Sequence, residues 1–279
     1  MMQRLEQTAA PQAGHWSGAR EPLQKGMEEK SVVTRFIVSP DIYSFTDKDG
    51  SAILNVGRDR MYSVIGVGSA IWAELAAQPA GVTFDAIVES LSAEYRDVPR
   101  HQIERDVERL LGSFQQNGFI RTSGQQQNRF AAVWRDHGHA GFLFVARKAT
   151  GLLLKLKLYG LAAFLGLTVI NIMLKLVSFS AFYHTVKRWP VSGGHGDPEA
   201  VTPVCDAVDK ATTWYPKQAM CLQRSAVATC LLRSRGLPAQ MVIGCRKIPF
   251  KSHAWAELYG LVVNDKTKVQ EFYRVLDRC

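Results

Sequence analysis

Cys221-Leu-Gln-Arg-Ser-Ala-Val-Ala-Thr-Cys-Leu-Leu-Arg-Ser-Arg-Gly236-Leu-Pro238 is the stretch on which the reading of this chain turns. Leu222, Ala226, Thr229, Leu232 and Arg233 recur at helical spacing, Pro216 lies upstream, and Gly236 followed by Pro238 stops the run. The spacing predicts a helix with Cys221 at or near its N-terminus. The partial positive charge of the first-turn N–H groups there favours the thiolate, which is the nucleophilic form. Cys230 comes nine positions later, about 900° of helical rotation, so it points to the other side and reads as a buried structural thiol. Cys245 and Cys279 have no comparable setting and read as bystanders.

Downstream, Ala239–Gly244 reads as a strand, and His253–Leu258 with Leu261–Asp265 as a hairpin around Tyr259-Gly260. A helix-borne Cys221, a His253 opening one strand and an Asp265 on the next make a Cys-His-Asp constellation. The imidazole takes the thiol proton and later protonates the leaving amine, while the carboxylate holds the useful tautomer. Taken singly, a Cys at a helix start is usually packing and a strand His usually a satisfied polar residue; the three in order are what point to catalysis. The hairpin sets a condition. A three-residue loop Tyr259-Gly260-Leu261 puts Asp265 opposite Trp255 and diagonal to His253, whereas a two-residue turn without a bulge turns Asp265 away. His184 and His195 lie outside this framework, and Asp277 is too near the C-terminus to be a favoured orienter.

The same residues resemble a family. Cys221-Leu-Gln-Arg-Ser, Leu231-Leu-Arg-Ser-Arg-Gly-Leu-Pro-Ala239, Val242-Ile-Gly244, Pro249-Phe-Lys-Ser-His-Ala-Trp255 and Val262-Val-Asn-Asp265 look like the transglutaminase-like cysteine peptidase of lasso-peptide biosynthesis. The resemblance covers about 60 residues closely. It implies a catalytic triad of Cys221, His253 and Asp265. Cys245 departs from the pattern, where an aliphatic residue is expected.

The N-terminal part reads differently. Arg35–Val38 is a short apolar run ended by Ser39-Pro40-Asp41, and Ala52–Asn55 with Met61–Val64 read as a hairpin around Gly57-Arg58-Asp59. Three helices follow. The first runs from about Ser69 to Ala77 with Ile71, Trp72 and Leu75 inward; the second is capped by Thr83 and carries Ile87, Leu91 and Tyr95. The third starts near Pro99, buries Ile103, Val107, Leu110, Leu111 and Phe114, and stops at Asn117-Gly118. Three strands and three helices make a winged-helix-like unit, an architecture that suggests DNA binding. However, residues 35–121 carry nine basic and twelve acidic groups, and phosphate neutralisation needs a basic face.

Ala52-Ile-Leu-Asn-Val, Met61-Tyr-Ser-Val, Gly66-Val-Gly-Ser-Ala-Ile-Trp72, Thr83-Phe-Asp-Ala-Ile87, Asp106-Val-Glu-Arg-Leu-Leu111 and Gly118-Phe-Ile resemble the PqqD-like precursor-recognition domain of peptide natural-product pathways. In that family the leader of a precursor peptide adds as a strand to the third β-strand and packs beside the third helix. The resemblance therefore implies leader binding at Met61, Tyr62, Ser63 and Val64, with Ile103, Val107 and Leu110 walling the groove. Amphipathicity alone also makes those three helix residues core, and both readings stand.

The whole chain has 279 residues, 47% of them apolar, and a net charge of +9. The length suits two domains and the composition excludes an all-disordered chain. The expected organisation is a disordered tail over 1–34, a recognition domain over 35–121, a polar linker over 122–140 and a peptidase domain over 141–279. The basic excess belongs to the last part, where residues 122–279 carry twenty-one basic and nine acidic groups. Between Phe142 and Trp189 the chain is apolar and basic, and Leu158 to Leu174 holds no charge. Packed helices, an interfacial amphipathic segment and a membrane span compete for that segment. The five cysteines form no CxxC pair; with no cleavable apolar stretch at the N-terminus they fit reduced thiols and a cytoplasmic location, with membrane-surface association as an addition.

The combined expectation is an α+β protein, with a winged-helix-like domain followed by a transglutaminase-like or papain-like domain. It would bind the leader of a ribosomally made precursor and cleave it off through a thioester, with neither metal nor nucleotide cofactor. The resemblance further implies an ATP-dependent asparagine-synthetase-like cyclase as partner, and the acidic balance of residues 35–121 argues for no nucleic acid. The oxyanion donors are backbone N–H groups near Cys221, with Gln218 and Trp214 as side-chain candidates. Two other functions fit parts of the sequence: a transglutaminase-like acyltransferase or deamidase, and a winged-helix DNA-binding regulator.

Overall fold

The computed structural model describes residues 34–123, 140–193, 196–216, 220–247 and 249–279. The expected tail (to residue 33) and nearly all of the expected linker (124–139) lie outside the described residues. The architecture is α+β, and the described residues fall into two compact units, one of 34–38 and 70–123, the other of 39–69 and 140–279.

The first unit holds β1 (Arg35–Val38), most of α1 (Val67–Ala77), β5 (Val82–Thr83), α2 (Phe84–Glu94), α3 (Arg100–Gln116) and β6 (Ile120–Thr122). Strand β1 is central in a small antiparallel sheet, with Phe36 opposite Val82 on one side and Thr122 on the other. Thr83 caps α2 by accepting from the Ala86 N–H. Trp72, Phe114 and Phe119 meet edge-on or tilted at 5.6–5.8 Å between ring centroids, fixing α1 against the end of α3. Ile103, Val107, Leu111 and Phe114 form the buried stripe of α3, and Leu110, expected in that stripe, is half-buried at its margin.

The three strands expected here are present, with additions and in two different sheets. The hairpin strands β3 (Gly50–Asn55) and β4 (Arg60–Val64) are joined by β2 (Ile42–Asp47), and β1 sits in the other sheet. Tyr43 opposes Leu54, and Ile53 opposes Tyr62. Strand β2 was missed because Ile42-Tyr-Ser-Phe45 follows Pro40 directly and ends in the charged run Asp47-Lys48-Asp49, which masks its alternation.

The sheet β2-β3-β4 belongs to the second unit. Asp47 and the Gly50 carbonyl hold the Lys247 ammonium, the Tyr43 and Tyr183 rings meet tilted at 5.6 Å, and Asp41 lies 3.5 Å from His184. Tyr183 also donates to Asp277.

The rest of the second unit is helical, then sheet. Its helices are α4 (Ala140–Lys155), α5 (Tyr159–Leu176), α6 (Phe179–Lys187), α7 (Val201–Trp214) and α8 (Cys221–Ser234). A four-stranded antiparallel sheet follows in the order β10-β7-β8-β9, from β7 (Gln240–Lys247), β8 (Phe250–Leu258), β9 (Leu261–Val262) and β10 (Arg274–Arg278), with α9 (Val269–Phe272) before the last strand. Helix α8 is buried nearly all round, from Leu222 to Arg233 except for half-buried Arg224. Sheet on one side and α5 and α7 on the other account for that, and make it the centre of the unit. Gly166 on α5 permits this approach, since a Cβ there would meet the Val227 side chain at 3.0 Å. Arg233, buried, ties the end of α8 to the carbonyls of Ala239 at 2.6 Å and Val186 at 2.7 Å.

Among the described residues α5 is the one helix long and apolar enough to cross a membrane, with a mean hydropathy of 1.7. Ala162, Ala163, Leu167, Ile170 and Met173 are nevertheless buried, and the helix packs on α7 and α8 as a core element.

Candidate active site

Cys221 is the first residue of α8. The helix begins at Met220, whose N–H donates to Gln223 Oε1 at 3.1 Å, so the first turn is fixed by its own sequence. His253 lies on β8 opposite Gly244 of β7. A Cβ at Gly244 would meet the Trp255 ring at 2.8 Å and the Arg274 carbonyl at 2.9 Å, so glycine is what lets Trp255 lie flat beneath this part of the sheet. Trp255 is fully buried and donates to Glu257 at 2.8 Å.

His253 Nε2 lies 2.7 Å from Asp265 Oδ2. That leaves Nδ1 as the nitrogen facing Cys221, with which His253 also shares a hydrogen bond. The structure thus brings Cys221, His253 and Asp265 together in one chain of hydrogen bonds. Two rings also flank the imidazole: Tyr273 lies 5.1 Å from it and Trp255 6.2 Å, and they lie 6.4 Å from each other.

The electrostatics follow from these contacts. Burial works against ionisation of Cys221, but the hydrogen bond with His253, the Ala254 and Leu222 N–H groups and the imidazolium charge outweigh it and hold the thiol below its ordinary value. His253 is held above its ordinary value, first by Cys221 and then, against burial, by Asp265. The other cysteines behave oppositely. Burial pushes Cys205 up to about 11, and Cys230, Cys245 and Cys279 to about 12. Cys221 is the only one of the five that is not buried, so it is the thiol equipped for nucleophilic chemistry.

The hairpin reaches this arrangement by a route the sequence did not suggest. The turn is a two-residue one: Leu258 pairs with Leu261, Glu257 with Val262, and Tyr259 and Gly260 both have positive φ, 52° and 81°. Continued regularly, that register would set Asp265 opposite Ala254, on the face away from His253. The ladder instead ends after Val262, not at Asp265. Val263 still donates to the Ala256 carbonyl at 3.0 Å, but the Ala256 N–H is taken at 2.6 Å by the side chain of Asn264. Asn264 in turn donates to Ser225 at 3.1 Å, and Ser225 donates to the Ala254 carbonyl at 2.9 Å. Arg224, paired with Asp209 at 2.9 Å, holds the Asn264 carbonyl at 2.8 Å. The chain is thereby lifted off the ladder, and Asp265 turns toward His253. Sequence reading missed Asn264, Ser225 and Tyr273. The available signals were that Asn264 adjoins Asp265 and that Ser225 stands one helical turn after Cys221.

Of the oxyanion candidates, Gln218 lies outside the described residues and Trp214 is 83% exposed. The first-turn N–H groups of α8 remain as donors. His184 faces Asp41, Asp277 is engaged by Tyr183 and Lys187, and His195 lies outside the described residues. Among the described residues no three His, Cys, Asp or Glu side chains are grouped to hold a metal ion.

The proposed recognition residues divide. Met61, Tyr62, Ser63 and Val64 lie on β4, an outer strand with β3 on its inner side. Ile103 and Val107 are 6% and 1% exposed and face the core of the first unit, whereas Leu110 keeps surface.

A thiol at a helix start, a sheet-borne imidazole and a following carboxylate thus share one site, and comparisons with known proteins bear on the two parts of the chain. Residues 165–277 match the transglutaminase-like superfamily, and residues 50–120 match coenzyme PQQ synthesis protein D (PqqD). The microcin J25-processing protein McjB of Escherichia coli is 39% identical over 56 residues, which are 20% of this chain and 27% of McjB. The chain thus covers about a quarter of the length of that relative. A solved structure, TbiB1 in complex with the TbiA(beta) leader peptide, aligns over 33% of this chain and 99% of its own, at 25% identity and a TM-score of 0.28. The chain thus joins a PqqD-like part to a transglutaminase-like part in this order, and shares a short segment with McjB.

Proposed function

We propose that the protein is a cysteine endopeptidase that captures the leader of a ribosomally made precursor peptide and removes it during lasso-peptide maturation. The observation that carries this reading is the hydrogen-bonded series Cys221–His253–Asp265 on a helix N-terminus, with the thiol lowered and the imidazole raised. The thiolate attacks the scissile carbonyl. The N–H groups of the first turn of α8 stabilise the oxyanion, His253 gives its proton to the departing amine, and water attacks the thioester with His253 as base.

Recognition rests on the PqqD match and on β4 as an outer strand, to which an extended leader can add through its backbone. Capture raises the effective concentration of the scissile bond at Cys221. The freed core amine is then a substrate for the asparagine-synthetase-like cyclase. The transglutaminase-like match equally supports transfer of the acyl group to an amine, which shares every step but the last.

Incubation with a candidate precursor peptide, followed by mass spectrometry, tests the proposal. Wild type should release the leader with a free carboxylate and Cys221→Ala should not. Cleavage by Cys221→Ala at the wild-type rate would refute the mechanism, and an amine-capped leader in the presence of a primary amine would favour acyl transfer.

A further inference from the structure

We propose that the hairpin of α4 and α5 is an interfacial anchor that seats the protein on an anionic lipid surface. The claim concerns where the protein works and does not depend on the cleavage reaction.

The sequence supplies the charge. Between Asp136 and Asp197 no acidic residue occurs, while Arg147, Lys148, Lys155, Lys157, Lys175, Lys187 and Arg188 do. Of these, Lys187 is paired with Asp277; Lys148, Lys155 and Lys157 have no acidic partner among the described residues, and Lys148 lies 4.8 Å over the Phe144 ring.

The structure supplies the apolar face. Val145, Lys148, Leu152 and Leu156 fall within an arc of about 80° on α4, at 100° per residue, and the three apolar ones are 66%, 59% and 59% exposed. The connection to α5 continues this surface. Leu158 is 43% and Leu161 59% exposed, and the tip is held rather than loose. The Lys157 and Leu158 N–H groups donate to the carbonyls of Leu154 and Leu153 at 3.1 and 2.8 Å, and Lys157 has a φ of 57°. A fixed tip of exposed leucines interleaved with Lys155 and Lys157 has the chemistry of a bilayer interface, with leucines among the acyl chains and ammonium groups at the phosphates.

Charge decides between occupants. A second copy would bring lysines against lysines, which is repulsive, whereas an anionic headgroup layer complements them. A transmembrane course is excluded by the other face of α5: Ala162, Ala163, Leu167, Ile170 and Met173 are buried in the unit that holds α8, and withdrawing them would open the core around the catalytic helix.

The test is flotation of the full chain with vesicles of phosphatidylcholine alone or mixed with phosphatidylglycerol. The chain should float with the mixed vesicles only and be released by raised salt. Lys155→Gln with Lys157→Gln should lower partitioning about 25-fold, at about fivefold per lysine, and Leu156→Glu with Leu158→Glu should abolish it. All these side chains are exposed, so unchanged thermal unfolding is expected of the variants and shows that they are folded. Absence of flotation with anionic vesicles, equal binding to both compositions, or binding that resists salt and alkaline carbonate would each overturn the proposal. So would a soluble dimer that the leucine variants dissociate, because a second copy would then own the surface.

Discussion

Asn264→Ala is the perturbation that tests most directly how Asp265 reaches His253. Asn264 is 6% exposed and replaces the backbone acceptor that the β8–β9 ladder lacks. Truncation has two possible outcomes. If the backbone stays where it is, the buried Ala256 N–H loses its acceptor at a cost of about 1–3 kcal/mol, and the lost bond to Ser225 adds about 1 kcal/mol, because Ser225 keeps the Ala254 carbonyl. The sum is about 2–4 kcal/mol, read as a lower urea midpoint at constant m-value. If the backbone relaxes, the Ala256 N–H recovers its partner by closing the ladder onto Val263, and the register then carries Asp265 to the face away from His253. Stability is then retained but the imidazole loses its carboxylate, so the pH dependence of Cys221 alkylation by iodoacetamide shifts. One of the two readouts must therefore change. An Asn264→Ala protein with both the urea midpoint and the alkylation profile of wild type would refute the argument.

Three further predictions bear on other parts of the molecule. In Asp265→Asn the imidazolium loses a group that raises its pKa; the alkaline limb of the pH–rate profile, where His253 deprotonates, should move to lower pH as the rate falls on the order of 10²- to 10⁴-fold, and an unmoved limb would contradict the role given to Asp265. Arg233→Met strands the carbonyls of Ala239 and Val186 at the end of α8 and should destabilise by about 3 kcal/mol in denaturant titration, two charge-assisted bonds less the relief of no longer burying a guanidinium. Leu110→Asp, on the α3 position that keeps surface, should weaken binding of a fluorescent leader peptide about fivefold or more, equivalent to about 1 kcal/mol, at a temperature where circular dichroism shows the variant folded; unchanged affinity would remove α3 from the leader site.

Regular elements were legible in the sequence to the extent that one chemical pattern governed each. The third helix of the N-terminal part announces itself by Ile103, Val107, Leu111 and Phe114, and its start and stop fall within a residue of the expected ones. Helix α8 was readable for a different reason. It is buried on nearly all sides, so its periodicity is weak, and its bounds came from the punctuation at Gly236 and Pro238. What escaped were strands whose partners are remote. Strand β2 gains its place from pairing with β3, and β10 from pairing with β7 across a register shift between Val275 and Asp277. Neither pairing leaves a local mark in Ile42–Asp47 or Arg274–Arg278.

The three side chains of the proposed triad stand on supports of decreasing regularity, and their legibility in the sequence fell in the same order. Cys221 depends on a helix start, which neighbouring residues dictate. His253 depends on the phase of a core strand, which alternation and the buried Trp255 dictate. Asp265 depends on the ladder being interrupted, and the interruption is made by side chains from three elements: Asn264 after β9, Ser225 and Arg224 on α8, and Asp209 on α7. A three-residue loop was the simplest backbone that could have turned Asp265 inward; the molecule keeps the tight turn and lets an amide side chain stand in for the missing carbonyl. The orienting carboxylate is therefore tied to the helix that carries the nucleophile, so disturbance of α8 near Ser225 should misplace Asp265 even where Cys221 itself is undisturbed.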